Sequence, residues 1–98
     1  MRNVHYPFKL GEQYERWEFD LEILDEEVID GCDSYIYLGS LYLFGEKAEN
    51  VEMIFSMDVL IAVYIKFSPI IFKYLINIRE IINSYQLDIA NNILFYKS

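Results

Sequence analysis

Ninety-eight residues, 54% of them hydrophobic, make one domain: the chain is too apolar for disorder and too short for two cores. Sixteen acids against eight bases leave a net charge of −8, which excludes a surface designed to neutralise nucleic-acid phosphates or anionic lipid. The single cysteine, Cys32, has no partner for an internal disulfide, so a reducing cytoplasm is the expected compartment.

Met1 to Leu10 is polar and aromatic and lacks the apolar centre of a signal peptide. From Tyr14 to Leu24 the chain alternates. Trp17, Phe19, Leu21 and Ile23 fall on one side; Arg16, Glu18, Asp20 and Glu22 fall on the other. Period two with aromatic and β-branched residues predicts a strand with one buried and one wet face. Asp25 to Asp33 reads as a turn or loop around Asp30-Gly31. Ser34 to Phe44 is apolar on both parities, as in a central strand. After a polar turn from Gly45 to Asn50, Val51 to Met57 alternates again. Val59, Ile61, Val63, Ile65 and Phe67 continue the alternation and read as a fourth strand; a helix beginning after Asp58 is the competing reading.

Ser68-Pro69 has the form of a helix start, with a hydroxyl at the N-cap and proline at N1. Ile71, Tyr74, Leu75, Ile78, Ile81, Ile82 and Tyr85 then recur at helical spacing, and Ile93 to Tyr96 reads as a last short strand. Charged residues and Pro69 interrupt the apolar stretch from Val59 to Ile82, so no run matches about 30 Å of hydrocarbon. The expected architecture is α+β: a single two-layer domain over residues 1–98. It has a mainly antiparallel sheet of four to five strands, with one long C-terminal helix on one face.

The charge is concentrated. Nine acids lie between Glu15 and Asp33, opposed only by Arg16, so this fifth of the chain carries the whole excess. Scattered carboxylates would keep the protein soluble with less mutual repulsion, which favours a binding patch over a merely solvated face. One helix covers one sheet face and leaves the other open; Glu18, Asp20 and Glu22 mark that open face. Tyr35 and Tyr37, if they lie beside them, add rigid contact area with a hydrogen-bonding tip. The candidate partner-binding residues are Glu18, Asp20, Glu22, Asp25, Glu26, Glu27, Asp30, Asp33, Tyr35 and Tyr37.

Catalytic constellations are lacking. His5 is the only histidine, which leaves little for a nucleophile–histidine system. Acids around Cys32 disfavour its thiolate, and two residues cannot build a structural zinc site. There is no glycine-rich phosphate loop, and the acidic loop lacks EF-hand spacing. No enzyme activity, cofactor or metal is expected.

The strand Tyr14 to Glu22 and the loop Asp25 to Asp33, in a chain of this size and charge, resemble the small acidic immunity proteins of bacterial contact-dependent inhibition and polymorphic-toxin systems. That resemblance implies a cytoplasmic inhibitor of a cognate toxin, typically a nuclease whose basic cleft the acidic surface would occlude. Two other readings remain open: a phage-type inhibitor that mimics nucleic acid against a host protein, and a homo-oligomer, such as a homodimer, that pairs its open sheet face. All three work without nucleic acid or membrane as partner.

Overall fold

The computed structural model describes residues 6–25, 29 and 31–98; His5, Glu26, Glu27 and Asp30 lie outside the described residues. Six strands form one antiparallel sheet: β1 (Leu21–Ile23), β2 (Asp33–Tyr37), β5 (Asn50–Ser56), β6 (Val59–Lys66), β8 (Ile93–Lys97) and β7 (Gln86–Asp88), in that spatial order. Strands β3 (Tyr42–Leu43) and β4 (Glu46–Lys47) form a separate small hairpin. Among the described residues no helix is long and apolar enough to cross a membrane.

The centre of the sheet is the β5–β6 hairpin. Met57 and Asp58 both adopt positive φ (50° and 66°), the backbone of a two-residue turn whose twist matches that of paired strands. The turn folds β6 onto β5 from Ser56↔Val59 to Asn50↔Lys66, with a register shift at Ile54/Phe55. This pairing decides between the two readings of the segment after Asp58: it is a strand, and its β-branched residues pack on both sides.

Alternation assigns the faces. Met53, Phe55, Val63, Ile65, Leu94 and Tyr96 point into the main core, all at most 3% exposed. Three things cover this face: the segment from Tyr6 to Trp17, the β3–β4 hairpin, and the helices α1 (Pro69–Leu75) and α2 (Arg79–Ser84). Tyr96 fastens the N-terminal segment, since its hydroxyl donates to the Phe8 carbonyl at 2.6 Å and accepts from the Phe8 N–H at 3.0 Å. Tyr6 stacks on the Tyr96 ring with centroids 3.8 Å apart, and its hydroxyl donates to the Ser84 carbonyl. Gly11 N–H to Leu60 C=O and Leu60 N–H to Glu12 C=O, both 2.9 Å, tie the same segment to β6.

The expected architecture of four to five strands under one long helix is corrected. The sheet has six strands, and the helical stretch is two short pieces. Helix α1 starts as expected: the Ser68 hydroxyl accepts from Ile71 N–H, and Pro69 occupies the first turn. It stops because Asn77 competes with its own backbone. The Asn77 side-chain amide donates to the Lys73 carbonyl at 2.8 Å, while its main-chain N–H turns to the Tyr74 carbonyl instead. Ile78 is then extended (ψ 123°), and α2 restarts beyond it. The break buries Leu75 and Ile81 but leaves Tyr74 and Ile82, two members of the helical stripe, about half exposed.

The first predicted strand is also shortened. Tyr14–Arg16 and Glu18–Asp20 form 3₁₀ turns, held by Trp17 N–H to Tyr14 C=O and Asp20 N–H to Trp17 C=O, and only Leu21–Ile23 pair as β1. The expected strand from Ser34 to Phe44 breaks after Tyr37. The Tyr37 ring folds over Gly39, where any Cβ would collide with its phenol, and the chain reverses into the β3–β4 hairpin. Its turn, Phe44-Gly45, again has positive φ at both residues (50° and 79°). Strand β7 is the sixth, pairing outside β8 from Gln86↔Phe95 to Asp88↔Ile93.

Candidate binding edge and open sheet face

Among the described residues no helix packs on the face opposite the core. Its central row runs Glu22, Ile36, Glu52, Tyr64, Phe95 and Gln86 across all six strands. A parallel row runs Asn50, Lys66, Ile93 and Asp88. At one end, Cys32 and Ile29 cap Ile54 and Ala62 in a small second cluster, so Cys32 is a buried apolar filler. Tyr64 and Phe95 stack across β6 and β8 with centroids 5.2 Å apart. Burial, and then the Glu52 carboxylate, raise the Tyr64 phenol above its ordinary value. Between the two rows lies a depression of about 340 Å³ lined by Asn50, Glu52, Tyr64, Lys66, Asp88, Asn91 and Ile93.

The acids gathered near the front of the chain do not cover this face. Glu15, Glu18, Asp20, Glu22, Asp25 and Asp33 are all exposed, and all sit on β1, β2 or the segments flanking β1. Glu22, the Glu18–Asp20 turn and Asp25 lie on or next to the edge strand β1, whereas Glu15 belongs to the turn whose Tyr14 N–H donates to the Asp58 carbonyl and Asp33 begins β2. Alternation turns Glu22 toward the open face and Asp33 toward the covered side. Among the described residues the one ion pair is Arg16 to Glu12 at 3.0 Å, so none of these six acids is neutralised by a described base. The segment's only base is itself engaged outside the cluster.

Tyr35 and Tyr37 do not share the open face with the carboxylates. Both are half-buried on the core side: Tyr35 meets Phe55 edge-on at 5.6 Å, and Tyr37 meets Phe8 at 5.0 Å. The Tyr35 phenol is raised mainly by burial, then by Tyr14 and by the Asp33 and Asp58 carboxylates. Strand parity is the reason. Glu22 pairs opposite Ile36, so the residues on either side of Ile36 take the other face.

Phe19 is the residue that the alternation misplaced. It is 92% exposed, flanked by Glu18 and Asp20, because a 3₁₀ turn directs it outward. The signal was present in the spacing of Tyr14, Trp17 and Leu21, three and four apart, which all pack against the core. Trp17 meets Phe8 edge-on at 5.0 Å, and Arg16 lies 5.6 Å over its ring. Leu38, 59% exposed, is tied to the same turn by its N–H donating to the Asp20 carbonyl at 2.7 Å.

Comparison of this chain with protein-family models, curated proteins and solved structures finds no match in any of the three.

Proposed function

We propose that this chain is a non-catalytic cytoplasmic inhibitor that docks a basic protein partner on its acidic edge, as an immunity protein blocks a cognate toxin. The observation that carries this reading is Phe19, 92% exposed between two exposed carboxylates that no described base pairs. A solvating surface needs charge but has no use for a bare phenylalanine. An aromatic anchor ringed by polar groups is the usual arrangement of an interface hot spot. Unpaired carboxylates beside it steer a cationic partner, raising association rates and making them fall with salt. A nuclease toxin, with a cleft built for phosphates, is the partner class with the matching charge.

The test is capture of the partner from the source cell at low salt, followed by affinity measurements on two variants. Reversing Glu18, Asp20 and Glu22 to lysine should weaken binding about tenfold or more, chiefly through a slower on-rate. Phe19→Ala should cost a similar factor through faster dissociation. Unchanged affinity in both variants would show that the edge is not the interface.

A further inference from the structure

We infer that the open sheet face pairs with the same face of a second copy of this chain, giving a two-fold dimer that leaves the Glu18-Phe19-Asp20 turn of the acidic edge free. The argument is one of charge and shape. Glu22, Glu52 and Asp88 oppose Lys66 and Lys97 on this face, so it is nearly balanced although the chain as a whole carries −8. A face of one sign would repel its own copy; a face of mixed sign can complement it.

The arrangement of the two signs is the one that self-pairing requires. Glu52 lies opposite Tyr64 and Lys66 opposite Asn50, so Glu52 and Lys66 are diagonal neighbours on adjacent strands. Neither makes an ion pair within its own chain among the described residues. A two-fold axis lying between the sheets, across the line that joins them, sets each Glu52 over the copy's Lys66. The depression beside Glu52 and Asp88, about 340 Å³, receives that ammonium, and the stacked Tyr64–Phe95 pair supplies an apolar centre. Five strand spacings of about 4.8 Å make the face roughly 24 Å wide, and its central strands run about 17–25 Å. Side-chain relief adds to that projected area, bringing it toward the ~800 Å² per partner of an ordinary specific interface.

Sedimentation velocity over a concentration series of the full chain tests this. A reversible monomer–dimer equilibrium is expected. Glu52→Lys and Lys66→Glu should each weaken it about tenfold or more, and both changes in one chain should restore it to within a few-fold. Reversing Glu18 and Asp20 should leave it unchanged. If a single swap fails to fold, amide shifts of the unaltered protein on dilution read the same surface, and Tyr64, Ile93 and Phe95 should move. A chain that stays monomeric at its highest soluble concentration overturns the inference. So does a double swap no better than the singles, or dilution shifts confined to residues 15–25.

Discussion

On one side of β5 and β6, Met53, Phe55, Val63 and Ile65 are sealed beneath the N-terminal segment and two short helices. On the other, Glu52, Tyr64 and Lys66 look outward from a face on which no described helix packs. The two faces alternate residue by residue along the same strands, so what separates them is the cover and how it is attached. An irregular segment can seal a core when its own polar groups are satisfied. Here Tyr96 serves both the N–H and the carbonyl of Phe8, and Leu60 serves Gly11 and Glu12. No comparable tether reaches over Tyr64 from a described residue.

The largest effect should come from emptying one side and not the other. Phe55→Ala, which removes a fully buried ring, should cost about 3–5 kcal/mol. Phe95→Ala, which removes half of a cross-strand stack on the open face, should cost about 1 kcal/mol. Denaturant unfolding of dilute protein measures both. Equal costs would mean that the open face is covered within the monomer.

Alkaline pH gives an intermediate contrast. Burial holds the Tyr85 and Tyr96 phenols far above their ordinary 10.0, and the open-face Tyr64 is raised as well. A raised acid is neutral in the fold while its unfolded counterpart ionises first. The stability tied to the neutral phenols is therefore complete below pH 10 and drains as pH rises beyond it. Thermal melts should fall above that pH, and Tyr96→Phe should flatten the fall more than Tyr64→Phe does. Tyr96→Phe should also lower stability at neutral pH by about 1–3 kcal/mol, because Phe8 loses the partner of both its polar groups.

The smallest effect belongs to the turn that joins the two central strands and lies on neither face. Met57 is 94% exposed and, like Asp58, sits at positive φ, where a side chain is strained. Replacing Met57-Asp58 by Asn-Gly should stabilise the fold by about 1 kcal/mol, read as a raised denaturation midpoint with unchanged slope. A loss of stability would show that the Met57 side chain has a contact worth more than its strain.

Much of the sheet was legible in the sequence. The alternation in β5 and β6, the Ser68-Pro69 helix start and the final strand are local patterns, and each was found near its predicted place. The candidate site was legible in charge but not in direction. A run of carboxylates states that water must be near, yet its geometry depends on where β1 begins, and that is settled by Tyr14 and Trp17 docking on the core from a 3₁₀ turn. Alternation over Trp17, Phe19 and Leu21 fits a strand as well as it fits two turns. Alternation therefore turns Phe19 inward, and the condition that Tyr35 and Tyr37 lie beside the carboxylates on the open face is not met.

What the chain determined by itself is set by neighbours in sequence: the apolar content for one core, the excess charge confined to residues 15–33, the alternation in β5 and β6, and the N-cap of α1. What only the tertiary structure decided depends on residues far apart. Tyr96 reaches Phe8 across 88 positions, Tyr6 reaches Ser84 across 78, and strand parity sends Glu22 and Asp33 to opposite sides of one sheet. Local patterns specify backbone preference, but which face is buried is decided by the segments that close over it, and those contacts exist only once the chain is folded.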